Sequence, residues 1–184
     1  MTSSALINPA PPEDEKEMVA AVFKDIGEQF GFVPDGLILY GISPPLLKAF
    51  IDNFSYFITH EKLSQKLFGL IRYLNSSSVS CPYCIDFNTG FLMNLGVSQE
   101  QLKATRENLQ QAPLNESEKV LLEIAMAALE NPEGVTSDVL QRAGDLGLTD
   151  RDIFDAVAQA VSNRAFTSVL KTFDVIRQGA SFNQ

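Results

Sequence analysis

The sequence predicts an all-α fold, and three observations carry that reading. Apolar residues recur at helical spacing along nearly the whole chain. Capping residues and glycines punctuate it at helix-length intervals. No segment shows the strict polar–apolar alternation of a strand. The chain has 184 residues, of which 45% are hydrophobic and 20% charged, a balance that supports one folded domain with a sizeable core. Its 13 phenylalanines, with no tryptophan, read as core packing.

The elements follow in order. Met1 to Pro12 is Ser- and Pro-rich and is expected to be loose, leaving residues 13–184 as one helical domain. Pro11 and Pro12 open an amphipathic helix through Phe30. Glu13, Asp14 and Glu15 occupy its first turn, where the dipole favours acids, and Gly31 suits its C-terminal cap. A short segment spans Asp35 to Tyr40. Ser43 then caps a helix that starts on Pro44 and Pro45 and runs to about His60.

Ser64 caps the next helix, with Leu67, Leu70, Ile71 and Leu74 as its apolar stripe and an end near Asn75 to Ser78. A helix begins at Cys81, capped by Ser78 or Ser80, and ends at Gly96. Ser98 starts another. Asn115 to Glu118 has the capping-box arrangement ahead of the apolar run Val120 to Leu129. Thr136 begins a short helix ending near Gly147. Thr149 and Asp152 open a long last helix to about Arg177, before Gly179. Its apolar set, including Ile153, Phe154, Val157, Ala160, Val161 and Leu170, is expected to be buried in the core or between subunits. The junctions Gly96-Val97-Ser98-Gln99 and Gly147-Leu148-Thr149-Asp150 are alike and hint at a duplicated helical hairpin.

The net charge of −9, with no Lys/Arg cluster, argues against nucleic acid and anionic membranes as partners; solubility is its simplest use. No stretch approaches the ~20 apolar residues of a membrane span. The N-terminus has neither the basic nor the apolar region of a secretory signal, so the expected location is the reducing cytoplasm. In that setting two close cysteines are redox-active or metal-binding more often than a structural staple.

The chain's 2 cysteines stand in Cys81-Pro82-Tyr83-Cys84. Three residues apart at a helix start, both sulfurs share one face, and unpaired amides with the helix dipole stabilise a thiolate. A reversible disulfide is the direct reading. Zinc is the chemical rival, but it usually takes four Cys or His ligands, and the chain adds only His60. No cofactor is called for. The plain alternatives are that both cysteines are small buried hydrophobes and that His60 caps a helix end.

The chain resembles the alkylhydroperoxidase D-like branch of the carboxymuconolactone decarboxylase family, in its longer peroxidase-related members. Ser43-Pro44-Pro45-Leu46-Leu47-Lys48-Ala49-Phe50, Leu63-Ser64-Gln65-Lys66-Leu67, Cys81-Pro82-Tyr83-Cys84, Gly96-Val97-Ser98, Gly147-Leu148-Thr149-Asp150 and Asn163-Arg164 carry the resemblance. It implies packed helical hairpins assembled as homo-oligomers, trimers or hexamers. It also implies a cysteine pair that reduces hydroperoxides and is recycled by a dithiol electron donor. By position Cys84 would attack and Cys81 would resolve, whereas the dipole alone favours Cys81 as the lower-pKa sulfur.

The sequence departs from that pattern where protons move. Asn88 stands at the family's His, Gly69 at its Glu, and Tyr83 at a His that some members carry. Asn does not titrate near neutrality, and losing general acid–base help slows such a reaction by on the order of 10²–10⁴. Arg72, one turn from Gly69, could stabilise a thiolate, though it reads more simply as a solvated helix charge. Asp86, Glu61 and His60 are the other titratable neighbours.

Three functions are therefore weighed. The first is a thiol–disulfide redox protein, a weak hydroperoxide reductase with an antioxidant role. The second is a catalytically degenerate member that binds a small ligand or partner in the former active-site cleft. Lactone decarboxylation ranks last, because His60 is not at the family's position.

Overall fold

The computed structural model of the protein describes residues 6–175. Among the described residues it has nine α-helices and no strand: α1 (Lys16–Phe30), α2 (Asp35–Tyr40), α3 (Pro44–Ile58), α4 (Gln65–Ser78), α5 (Pro82–Asn94), α6 (Gln99–Glu107), α7 (Glu116–Glu130), α8 (Ser137–Asp145) and α9 (Asp150–Thr172). The last helix ends at Thr172, short of the expected Arg177, with Asp174 in the left-handed position at φ +57°; Arg177 and Gly179 lie outside the described residues. No helix among them is long and apolar enough to cross a membrane.

The chain forms two compact units: one comprises the residues up to Ile58 together with those from Ser168 on, the other Thr59–Thr167. In the first unit α1 begins after a 3-10 turn at Glu13–Glu15 and stops at Gly31. That glycine's left-handed φ of +80° lets its amide close onto the Gly27 carbonyl. Val19, Ile26, Leu39, Leu47 and Phe57 are buried. The Leu6 amide bonds the Phe173 carbonyl at 2.9 Å, tying down the first described residue.

The second unit is organised around α4, which packs against α5 and α7. The Ser64 hydroxyl caps it by accepting the Leu67 amide, and Glu118 of α7 accepts the Ser64 amide at 2.8 Å. The expected capping box at α7 is therefore half formed. Asn115 accepts the Glu118 amide, but the Glu118 carboxylate turns to α4. Nor does α4 show a single apolar stripe. Every residue from Leu67 to Ser76 is buried, because neighbours surround the helix. It ends at Ser78, within the expected Asn75 to Ser78. Ser76 and Ser77 fold their hydroxyls back onto the Arg72 and Tyr73 carbonyls, so the helix runs through Ser78.

The last helix buries its expected apolar set only in part: Ala160 and Leu170 are at 0% exposure. Phe154 is 71% exposed and Val161 51% exposed, while the buried stripe is Asp152, Asp155, Ala156, Gln159, Ala160, Asn163 and Thr167. Asp152, Asp155 and Asn163 are tolerated because α4, the loop before it and the first turn of α9 supply partners. Asp152 takes Lys62 and Thr149, Asp155 takes His60 and Arg151, and Asn163 takes Asn75. Burial pushes the Asp152 carboxyl up, but Lys62 and Thr149 outweigh it and hold it below the usual carboxylate range.

Candidate active site

The site is built at the junction of α4 and α5. Helix α4 closes with the Ser80 amide on the Ser77 carbonyl (3.1 Å) and the Cys81 amide on the Ser76 carbonyl (3.0 Å), a Schellman pair. Ser80 takes the left-handed position at φ +51°, where the two similar junctions have Gly96 and Gly147. A side chain there costs about 1 kcal/mol. Ser80→Gly is therefore expected to raise stability by about 0.5–1 kcal/mol, less the added backbone entropy of glycine, as read from the denaturant midpoint.

Cys81 thus ends one motif and begins the next. It is itself the N-cap of α5: its Sγ accepts the Cys84 amide at 3.4 Å, and Pro82 follows in the first turn. Neither Ser78 nor Ser80 caps α5. The Ser78 hydroxyl instead donates to the Asn75 carbonyl and accepts from Arg164.

Both thiols are free and buried, Cys81 at 0% and Cys84 at 4% exposure. The hydrogen bond with Cys81, then burial, push the Cys84 thiol well above its ordinary range, while the Thr167 hydroxyl pulls the other way. The Cys84 thiol therefore stays protonated at neutral pH.

Asn88 and Arg72 form a buried scaffold under this turn. Arg72 Nε–H donates to Asn88 Oδ1 at 3.0 Å, and Asn88 Nδ2–H donates to the Cys84 carbonyl at 2.8 Å. Because a guanidinium only donates, the bond fixes which way the Asn88 amide faces. The Arg72 guanidinium lies 4.8 Å from the Phe91 ring centroid. Arg72 is not a solvated helix charge: it is 4% exposed, and burial pushes its pKa down to about 10, which still leaves it cationic at neutral pH. Asn88 bonds the backbone of the cysteine turn. Tyr83 is buried against the Phe87 ring, with centroids 6.4 Å apart.

Gly69 marks a close approach of α4 to α5. A Cβ there would stand 2.7 Å from Leu92 Cδ2 and 3.2 Å from Phe91 Cδ1, so no side chain fits without movement. His60 is not a simple helix cap. Its Nδ1 accepts the Lys62 and Leu63 amides, which places the proton on Nε2, facing Asp155 at 3.2 Å. Asp86 and Glu61 are exposed. Among the described residues no group of three or more His, Cys, Asp or Glu is placed to hold a metal ion.

Thr167 is the residue that sequence reasoning missed. It belongs to the buried stripe of α9, four residues after Asn163, and its hydroxyl acts to lower the Cys84 thiol pKa against the larger upward effects of Cys81 and burial. That spacing was the available signal, masked by the more conspicuous phenylalanines. Separately, an open cleft of about 680 Å³ lies among α4, α5 and α6, lined by Tyr73, Ile85, Thr89, Lys103 and Arg106 among others.

No protein-family model and no curated protein matches the sequence. Solved structures do match. An uncharacterized peroxidase-related protein from Silicibacter sp. TM1040 superposes with a TM-score of 0.85 at 19% identity, over 98% of this chain and 95% of that one. The alkylhydroperoxidase AhpD core of an uncharacterized peroxidase-related protein from Ralstonia eutropha JMP134 gives 0.78 at 18% identity, over 96% and 92%. The debrominase Bmp8, in a crystal structure with 2,3,4-tribromopyrrole, gives 0.69 at 18% identity, over 91% of each chain. The chain therefore has the all-α fold of the alkylhydroperoxidase D core and its peroxidase-related neighbours.

Proposed function

We propose that the protein is a thiol–disulfide redox enzyme that uses Cys81 and Cys84 to reduce a small electrophile such as a hydroperoxide. The observation that carries this reading is the pair itself. Two buried, reduced cysteines three residues apart stand at a helix start, one of them capping the helix through its sulfur. Cys81, the amide-bonded sulfur, once it has released its own proton to solvent, acts as the base that the family places on histidine. It takes the Cys84 proton along their hydrogen bond, and the Cys84 thiolate attacks.

The steps balance. The Cys84 thiolate displaces an alkoxide from the hydroperoxide and becomes a sulfenic acid. The proton held by Cys81 goes to that alkoxide, giving the alcohol. Cys81, again a thiolate, attacks the Cys84 sulfur and closes the disulfide, and the expelled hydroxide takes a proton from solvent to become water. A dithiol donor returns two electrons and two protons. The fold likeness to a debrominase, whose structure holds a tribromopyrrole, makes a halogenated aromatic the second electrophile to try. A homo-oligomer fits the two exposed apolar side chains seven residues apart on α9, Phe154 and Val161.

The test is a count of free thiols after stoichiometric hydrogen peroxide or an organic hydroperoxide. Loss of two thiols per chain, reversed by a dithiol, is expected. Cys84→Ser is expected to abolish the reaction, and Cys81→Ser to stop it at the sulfenic acid. Persistence of both thiols would overturn the reading and leave ligand binding by a degenerate member, for which the cleft beside α5 is the place to look.

A further inference from the structure

We propose that the cleft among α4, α5 and α6 is a binding site for a small organic anion, an apolar body carrying a single carboxylate. The site is separate from the cysteine pair, since neither Cys81 nor Cys84 lines it, and it does not depend on the redox reading above.

Three observations carry it. The first is shape. The cleft holds about 680 Å³, within the range of small-molecule sites. Tyr73 of α4, Ile85 of α5 and Leu102 of α6 give it apolar walls from three helices.

The second is unmatched positive charge in a chain whose net charge is −9. Among the described residues, the only lysines and arginines with neither an ion pair nor a hydrogen bond are Lys66, Lys103 and Arg106. Two of those three line the cleft. Standing three residues apart on α6, they share one face of that helix.

The third is that the acids of the same wall leave these cations unneutralised. Glu100 stands three residues before Lys103 and Glu107 four after it, spacings at which helical ion pairs form, yet neither pair does. Glu100 is drawn the other way: its own backbone amide and then the Ser98 hydroxyl hold its carboxyl below the usual carboxylate range. That end of α6 is fixed by the capping box of Ser98 and Gln101.

A carboxylate supplies what the two cations lack. The planar guanidinium of Arg106 can take both oxygens of one carboxylate, and Lys103 adds a second charge with no fixed geometry. A small hydrated anion would meet the charges and leave Tyr73, Ile85 and Leu102 wet. An apolar body covers them, and that burial contributes affinity that exposed charges alone do not.

The experiment titrates the reduced full chain, isotope-labelled for amide NMR, with benzoate, with its neutral analogue benzamide and with acetate. Benzoate is expected to saturate, to move the Thr89, Lys103 and Arg106 amides, and to bind at least about fivefold more tightly than either control. Arg106→Gln and Lys103→Gln, both at exposed positions, are each expected to weaken benzoate by about fivefold, the upper end for an exposed charge pair. Glu107→Gln is expected to strengthen it, a dependence on charge sign that a loss of structure does not produce. Absence of saturable binding, benzoate no tighter than benzamide or acetate, or indifference to all three substitutions would overturn the proposal. Cys84→Ser is expected to leave the dissociation constant unchanged. If it abolishes binding, the anion sits at the thiol and the cleft assignment falls.

Discussion

Gly69→Glu is expected to destabilise the protein by about 3–5 kcal/mol and to restore no relay, even when combined with Asn88→His. The first Cβ hydrogen already has nowhere to go. At 2.7 Å from Leu92 Cδ2 and 3.2 Å from Leu92 Cγ, the new atom meets a side chain that is itself 0% exposed. Leu92 cannot swing into solvent, so either it leaves its rotamer or α5 moves away from α4. Overpacking of this kind costs about 1–3 kcal/mol, and a carboxylate forced between Phe91 and Leu92 adds a desolvation penalty. Gly69→Ala isolates the packing term, offset by up to about 1 kcal/mol of helix propensity. Thermal denaturation of the two variants measures both. If Gly69→Glu melts within a few degrees of the parent, α5 is free to shift and the site is more plastic than this packing allows.

Arg72→Ala is expected to lose about 3–4 kcal/mol, and Arg72→Met distinctly less. Alanine empties the volume against Phe91 and leaves Asn88 Oδ1 without its donor. Methionine refills most of the volume, removes a buried cation whose desolvation opposes folding, and leaves only the Asn88 acceptor unmatched. Pairing Arg72→Met with Asn88→Leu removes both partners, though Asn88→Leu also gives up the bond to the Cys84 carbonyl. A double-mutant cycle read by denaturant unfolding should show a coupling of about 0.5–3 kcal/mol. A coupling near zero would mean that the Arg72–Asn88 bond does not hold the cysteine turn. Because that turn carries both thiols, Arg72→Met is also the gentler probe of whether the scaffold matters to their reactivity.

Much of the fold was legible because its signals are local. Gly31, Ser64, Ser98 and Asn115 act at helix ends as their residue types predict, since a cap depends on a backbone a few residues away. The two similar glycine junctions are also local. Each has a left-handed glycine, a buried apolar residue and a new cap, at Gly96-Val97-Ser98 and Gly147-Leu148-Thr149. What misled was the assumption that apolar means inward. In α9 that assumption selects Phe154 and Val161, whereas the residues turned inward include Asp152, Asp155, Asn163 and Thr167.

By itself, then, the sequence determined that the chain is helical, where most helices begin and end, and that its 2 cysteines stand together at a helix start. Those features depend on spacing along the chain, and spacing survives without knowledge of neighbours. Only the tertiary structure decided that Cys81 caps its own helix, that Arg72 is buried on Asn88 and Phe91, that Gly69 admits no side chain without movement, and that Thr167 is fully buried. The physical reason is partnership across long sequence separation. A buried polar group is tolerable only where another element supplies its hydrogen bond, and that supply, from Lys62 to Asp152 or Asn75 to Asn163, is set by how the helices pack.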